Sequence, residues 1–243
     1  MMRKKYIAVI SESAARYKTA LEREFDVVLL PADRKLSQPV ASHPDMILCR
    51  VGETLAVPRE YYCNNSELID DLIDRTCLTL LLSDDVREEV YPHDIAMNVL
   101  LCGKFAFALA EYTAKEVKSS LNEQGIQLIN MKQGYAACTS LSAGDAIITA
   151  DPSAAAAAES ANIDATVISD GDIRLPGYDT GFIGGASGVC ADSVYFFGNL
   201  DFHSDGKKIR DALTRRGIKI ISLSDETLTD FGGILFLEIK RRF

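Results

Sequence analysis

The sequence predicts an α/β fold in which one domain over residues 1–243 forms a five-bladed α/β propeller, with pseudo-fivefold repeats of strand-strand-helix-strand. The first observation behind this prediction is a repeat at a period of about 50 residues, in which an amphipathic segment leads through a small or polar junction into a short β-branched strand. The second is that the strands before these segments come in short pairs, as antiparallel hairpins do. Short hairpins favour a propeller, whereas a doubly wound open sheet needs longer apolar parallel strands.

The first two units follow this plan. In the first, residues 6–10 and 27–30 are predicted strands, separated by a helix for which Ser13 is a candidate N-cap. Pro31 then ends the unit, because proline cannot continue a strand ladder. The predicted elements of the second unit are strands over 47–50 and 55–57, a turn at Gly52-Glu53, and a helix capped by Asn65 or Ser66.

The sequence pattern predicts the elements of the fourth unit more clearly than those of the third. Residues 99–110 are ambiguous, because their Ala and Leu content favours a helix while the repeat requires a strand. The fourth unit has a clear hairpin, with strands over 135–141 and 146–149. Asp151 and Pro152 then open a helix, at positions where an acidic cap and a missing N–H are both tolerated.

The fifth unit repeats the plan of the fourth. Strands are predicted over 181–189 and 194–197, followed by a helix that carries Ile209 and Leu213 on one face. A last strand over 234–239 belongs to none of the five units. It is expected to pair with the first unit and so close a ring.

The composition indicates a soluble globular protein and argues against nucleic acid as a partner. Hydrophobic residues make up 47% of the chain and charged residues 25%, which is ordinary for a packed domain. A formal net charge of -9 disfavours a surface that follows a phosphate backbone. The sequence has neither a secretory apolar region nor a run long enough to span a bilayer. A cytoplasmic protein without membrane contacts is therefore expected, and its oligomeric state is left open.

No cofactor or metal ion is predicted from the sequence. The six cysteines are scattered, without a Cys-x-x-Cys pair or a nearby histidine, so neither a zinc site nor a disulfide framework is expected. The Gly-rich stretch at 181–188 lacks the Lys-Ser/Thr ending of a phosphate-binding loop. It is better interpreted as a hairpin whose backbone passes close to the ring centre or to a ligand.

Three motifs add a family resemblance to the repeat: Gln133-Gly-Tyr-Ala-Ala-Cys138, residues 147–151, and residues 177–188. Together with five hairpin-helix-strand units, they resemble a branch of unknown function of the pentein superfamily, also called the guanidino-modifying-enzyme fold. The resemblance implies a polar site at the ring centre. Enzymes of the superfamily hold a guanidinium with an acid, use a histidine as acid and base, and place a nucleophilic cysteine after Gly-Gly in the last unit. This chain has Phe236 at that place, after Gly232-Gly233.

The candidate catalytic residues are a cysteine and a histidine. Cys138 lies beside polar residues in the fourth unit, and the alternative for it is a buried, unreactive thiol. His203 follows a strand of the fifth unit near Asp205, where a carboxylate would tune it as a general base. The alternative for His203 is a histidine that only caps a loop.

The candidate substrate-binding residues recur at comparable places in the units. Asp45 and Asp94 are predicted to converge on a cationic ligand at the centre, with Asn98 one turn beyond Asp94 if that segment is helical. Gly185 lies in the Gly-rich stretch that is expected to approach the ligand. The alternative for the acids is helix capping, which suits Asp151 best.

The predicted function is the binding of a small polar ligand, guanidino- or amino-acid-like, in the central pocket, with Cys-dependent hydrolase or amidinotransferase-like chemistry. One alternative is a non-catalytic binding or scaffold protein of the same fold. A second is a doubly wound domain with a nucleotide ligand. Its weakness is Ser11-Glu-Ser-Ala-Ala15, which stands after the first strand in place of Gly-x-Gly-x-x-Gly.

Overall fold

A computed structural model describes residues 4–84 and 87–240 of the chain. These residues form five three-stranded sheets, here called blades 1 to 5. Blade 1 holds β1, β2 and β15, and the following strands fill blades 2 to 5 three at a time. The strands are β1 Tyr6–Ser11, β2 Asp26–Leu30, β3 Cys49–Val51, β4 Thr54–Pro58, β5 Thr79–Ser83, β6 Leu100–Cys102, β7 Phe105–Ala108, β8 Gln127–Asn130, β9 Ser140–Ala143, β10 Ala146–Thr149, β11 Asp164–Val167, β12 Ser187–Cys190, β13 Ser193–Phe196, β14 Lys219–Ser222 and β15 Leu235–Glu238.

Every blade has the same topology. In blades 2 to 5 the first strand pairs antiparallel with the second in a hairpin, and the chain then crosses through a helical segment to a parallel third strand. In blade 1 the antiparallel partner of β1 is β15, with Ile7 opposite Leu237. The predicted pairing of the C-terminal strand with the first unit is therefore confirmed.

Helices fill the crossovers between the second and third strands, and short helical turns precede some of the inner strands. Helix α4 begins after Asn65, buries Ile69 and Leu72, and ends at Thr76, after which Cys77 adopts a left-handed conformation. At α7 the Asp151 carboxylate accepts a hydrogen bond from the Ala154 N–H over 2.7 Å. The α-helices are α1 Lys18–Leu21, α2 Pro44–Ile47, α3 Arg59–Asn64, α4 Ser66–Thr76, α5 Lys115–Glu123, α6 Ala136–Thr139, α7 Pro152–Ser160 and α8 Gly206–Thr214, with 3-10 helices at Glu12–Tyr17, Gln38–Val40 and Leu200–Phe202.

The apolar side chains are divided into five cores, and each core lies between two consecutive blades. The last core joins blade 5 back to blade 1, so the blades form a ring and the predicted five-bladed propeller is confirmed. Representative members are Val9 and Leu55 between blades 1 and 2, Val51 and Ala106 between blades 2 and 3, Phe107 and Ile147 between blades 3 and 4, Ile148 and Phe196 between blades 4 and 5, and Tyr195 and Phe236 between blades 5 and 1.

Several predicted boundaries are wrong where the chain approaches the ring centre. Ile47 belongs to α2 instead of a strand, and residues 135–139 form α6 with its flank, so the strand begins only at Ser140. Residues 181–182 are irregular and residues 183–186 form turns, so the strand begins only at Ser187. At these places the backbone forms hydrogen bonds to neighbouring blades instead of to a paired strand. For example, the Ala137 N–H donates to Asn98 Oδ1.

Two further differences concern the first and third units. The side chain that caps the first helical segment is Ser11, which accepts from the Ser13 N–H, so Ser13 is not the cap. Residues 99–110 contain the hairpin of β6 and β7, so the repeat is a better guide there than the Ala and Leu content.

The five separate sheets also rule out the doubly wound open sheet. No helix in the described part of the chain is both long and apolar enough to cross a membrane.

Replacement of Leu237 by Ala tests how much the closing strand contributes to stability. Leu237 is fully buried between blades 1 and 2, so loss of its side chain leaves a cavity, and we expect the free energy of unfolding to fall by about 2–5 kcal/mol. Glu238→Ala on the same strand is the control, because Glu238 is exposed and its loss should change the free energy by less than about 0.5 kcal/mol. Equal effects of the two changes in urea unfolding would contradict the closure.

Candidate functional site

The segments that lead into the five inner strands converge on the ring axis. Each supplies a residue that lies a few positions before its strand: Asp45 before β3, Asn98 before β6, Cys138 before β9, Gly185 before β12 and Asp230 before β15. The site is thus built from all five blades. The structure brings together four of the sequence-predicted site residues, namely Asp45, Asn98, Cys138 and Gly185, and adds Asp230.

Asn98 ties three of these segments together. Its Nδ2 atom lies 3.0 Å from the Cys138 Sγ and 3.1 Å from the Asp45 carbonyl oxygen, and its Oδ1 accepts from the Ala137 N–H over 2.8 Å. The side chain is buried, so these bonds are not shared with bulk water. Asn98 therefore fixes the position of the thiol relative to the segment that carries Asp45.

Asp230 is buried and held by the backbone. Its carboxylate accepts hydrogen bonds from the Gly232 and Phe182 N–H groups, each over 2.9 Å. A Cβ atom on Gly185 would lie 1.9 Å from Asp230 Oδ1, so only glycine leaves room for the carboxylate there. The Gly185 N–H also donates to the Cys138 carbonyl oxygen over 3.1 Å. These contacts place the backbone at Gly185 against Cys138 and Asp230.

Asp45 differs from Asp230 in its surroundings. It lies in α2, its N–H donates to the Gly232 carbonyl oxygen over 3.2 Å, and the residue as a whole is half-buried. Both of its carboxylate oxygens are buried and lack a hydrogen-bond partner among the described residues. The Cys138 thiol is close enough to interact with this carboxylate by charge and as a donor outside normal hydrogen-bond geometry, which raises the thiol pKa and opposes the effect of burial on the pKa of Asp45.

Burial dominates the electrostatics of the site. It raises the pKa of Asp45 to about 6 and, together with the charge of Asp45, the pKa of Asp230 to about 7. Burial also lowers the pKa of His43, whose Nδ1 lies 3.7 Å from Asp230, to about 3. The pKa of the Cys138 thiol is raised well above its usual value by burial and then by the two carboxylates. Near neutral pH the imidazole and the thiol are therefore uncharged.

Two cavities adjoin this layer of residues. The first, here the Cys138 cavity, has a volume of about 150 Å³ and mostly apolar walls. The second, here the Asp45 cavity, has a volume of about 220 Å³ and runs along the inner strands. The Cys138 cavity is lined by His43, Met46, Tyr135, Cys138, Phe182 and Asp230, among others. Lining residues of the Asp45 cavity include Asp45, Arg50, Val99, Ala137, Ser187 and Gly233.

The other two candidate residues occupy different places. Asp94 lies behind Tyr135, whose hydroxyl donates to its Oδ2 over 2.7 Å, and burial raises its pKa. Its segment consists of turns, so Asn98 is not one helical turn beyond it. His203 lies between the Leu200 turn and α8, where its Nδ1 accepts from the Asp205 N–H over 3.0 Å.

His43 takes the place at the site that the sequence had suggested for His203. It lines the Cys138 cavity, and a Cβ atom on Gly232 would lie 2.2 Å from its own Cβ, so glycine is needed for it to fit. Sequence reasoning missed Asp230 altogether. The signal that could have found it is its place before the last inner strand, which matches that of the other central residues.

Phe236 does not face either cavity. Its ring packs 4.8 Å from Phe25 and 5.4 Å from Tyr195, between centroids, in the core that joins blades 5 and 1. From the same segment, Gly232 and Gly233 line the Asp45 cavity. Within residues 4–84 and 87–240, no cluster of three or more His, Cys, Asp or Glu side chains is arranged to hold a metal ion.

Comparison with known proteins assigns the chain to a family. Residues 9–235 match the model of a family of unknown function, DUF6873. No curated protein matches the chain. Because the family match covers most of the sequence, it extends over all five central segments.

Several solved structures share this architecture. Dimethylarginine dimethylaminohydrolase of Pseudomonas aeruginosa, in a mutant form with citrulline, aligns with a TM-score of 0.55 and 12% identity, over 98% of this chain and 100% of its own. A saxitoxin-pathway amidinotransferase of Microseira wollei aligns with a TM-score of 0.58 and 13% identity, over 96% of this chain and 80% of its own. The product-bound N-terminal domain of a cyanobacterial arginine dihydrolase aligns with a TM-score of 0.56 and 10% identity, over 98% of each chain. The chain therefore belongs to the DUF6873 family and has the pentein fold.

Proposed function

We propose that the protein binds a small organic cation with a planar, guanidinium-like head at Asp45 and Asp230, and that Cys138 is the nucleophile of a reaction on that head. The observation that carries the proposal is the pair of buried Asp45 oxygens, which have no partner in the described part of the chain. A buried carboxylate without a partner is costly, so a site that keeps one is suited to a ligand that supplies it.

The charge at the site supports a cationic ligand. Asp45 forms no ion pair with a described Lys or Arg, and the contact of Asp230 is with His43, which is uncharged near neutral pH. Two acids thus meet without a compensating charge. A guanidinium offers several N–H donors in one plane, which can pair with both carboxylates at once.

The shape of the Cys138 cavity supports a small organic ligand. Its walls include Leu175, Phe182 and Val40 beside the acid, so a cation with an apolar portion would bury that portion against them. Its volume of about 150 Å³ suits a small molecule. The structural neighbours, which are named for reactions of arginine, its methylated form or an amidino group, support the guanidinium head in particular.

The geometry gives Cys138 a route to react once the cation is bound. A positive charge beside the thiol favours the thiolate, and Asp45 can accept the thiol proton. The sulfur then forms a bond to the central carbon of the guanidinium, a carbon–nitrogen bond breaks, and the departing amine takes the proton from Asp45. The amidino group left on sulfur would pass to water in a hydrolase or to an amine in a transferase.

A non-catalytic binding protein is the second candidate function. The raised thiol pKa and the place of Phe236 outside the site favour it, because no activated thiolate exists before a ligand arrives. The two candidates share the binding site and differ only in whether Cys138 reacts. Each needs its own test.

Calorimetric titration with arginine and with citrulline tests the cation site. The two ligands are alike in length, but citrulline carries an uncharged head, so we expect arginine to bind at least about tenfold more tightly. Asp230→Asn should remove this preference, whereas Asp170→Asn, at an exposed loop position, should keep it. Equal binding of arginine and citrulline, or a preference that survives Asp230→Asn, would contradict the site.

Alkylation with a matched pair of reagents tests the nucleophile. Chloroacetamidine is cationic and chloroacetamide is neutral, so a site that recruits a cation and lowers the thiol pKa should favour the former at Cys138 by about tenfold or more. Peptide mass spectrometry at about pH 7 measures the rate at each cysteine. Exposed Cys63 is the internal control and should show no such preference. An inert Cys138 would leave the non-catalytic binding protein as the better account.

A further inference from the structure

The two acids at the ring centre are joined through one glycine. The Asp45 N–H donates to the Gly232 carbonyl oxygen over 3.2 Å, and the Gly232 N–H donates to Asp230 Oδ1 over 2.9 Å. The segments before β3 and β15 therefore hold the two acids close enough for the charge of Asp45 to raise the pKa of Asp230, with Asp45 lining the Asp45 cavity and Asp230 the Cys138 cavity. Ionisation of both would place two negative charges there together.

The groups around the pair offer little compensation. The backbone N–H groups of Gly232 and Phe182 stabilise an ionised Asp230, but the Asp45 oxygens have no such donors. Arg50 lines the Asp45 cavity, yet its guanidinium donates to the Gly52 and Phe236 carbonyl oxygens. The other titratable groups that face the pair, directly or across Cys138, are His43, Cys138, Tyr135, Tyr178 and, behind Tyr135, Asp94.

We infer that Asp45 and Asp230 share a proton while the site is empty and that a bound ligand cation expels it, so that cation binding at this site is coupled to proton release. The inference rests on the proposed function, since it concerns the same cation. Two like charges in one buried site cannot both ionise cheaply, and one proton relieves the repulsion. The proton belongs to the pair instead of to one oxygen. A ligand cation supplies the missing charge and makes the proton unnecessary.

The raised pKa values of the two acids support the inference and set the pH range. Because both pKa values lie above the usual value for an aspartate, the empty protein gains protons on folding. The resulting stability is fully present below about pH 4 and is lost as the pH rises through 6 to 7. Guanidinium stays charged throughout this range. Its affinity should therefore rise with pH, by up to about tenfold per unit where one proton is released.

Calorimetry with arginine at pH 6.5, in two buffers of different ionisation enthalpy, measures the protons released. We expect about one proton per arginine bound, and hence a heat that depends on the buffer, with affinity rising from pH 5.5 to 7.5. Asp45→Asn removes one of the two charges and should make the heat independent of the buffer. Arginine binding to the unaltered protein with the same heat in both buffers would overturn the inference while leaving the proposed function in place.

Urea unfolding of the ligand-free protein tests the shared proton without any ligand. The unaltered protein should lose stability between pH 5 and 8, and both Asp45→Asn and Asp230→Asn should reduce this loss, while Asp170→Asn should not. Asp94, whose pKa is raised, adds to this loss in every variant, and His43 and His203, whose pKa values are lowered, oppose it, so the difference between variants is the readout. Identical slopes in all variants would overturn the shared proton. Altered slopes without arginine binding would keep the shared proton and contradict the proposed guanidinium ligand.

Discussion

The antiparallel pairing of β15 with β1 is the interaction on which the rest of the structure depends. Each blade presents one face to the next, and every apolar core lies between two blades, so no blade is buried on its own. With β15 in place, blade 1 gains its inner strand and both neighbouring cores are completed. The same pairing carries Asp230 to the axis, because Asp230 lies just before β15. Ring closure and assembly of the central site are thus one event.

The centre of the ring buries polar side chains, whereas the cores between the blades bury apolar ones. The cores between blades are dry and apolar, and they supply the stability. At the axis the chain instead buries acids, an amide and a thiol, and the unpartnered oxygens of Asp45 cost of order 1–3 kcal/mol. Such a cost is tolerated because many packed side chains surround it. Strained or unsatisfied groups of this kind concentrate at functional sites.

Under the proposed function, the protonation state of Cys138 depends on whether a cation occupies the site. Without a ligand, burial and two acids keep the thiol uncharged, which protects it from adventitious oxidation and alkylation. A cation between the acids would lower the thiol pKa and favour the thiolate, so the nucleophile would form only when a substrate is bound. In the proposed mechanism recognition is coupled to reactivity through charge, and Asn98 lies 3.0 Å from the sulfur in the ligand-free site.

The sequence by itself determined the repeat, the hairpins of blades 2, 4 and 5 and the place of the closing strand, because these depend on local periodicity and turn chemistry. It also singled out Asp45, Asn98, Cys138 and Gly185, since polar and glycine residues before buried strands stand out against an apolar pattern. It did not place α2, α6 or the turns at 183–186, where hydrogen bonds between blades override the local β preference. Only the tertiary structure decided that His43 rather than His203 lines the Cys138 cavity and that Asp230 completes the site. The reason is that these residues lie far apart in the chain, and their distances are set by ring closure, which no local pattern encodes.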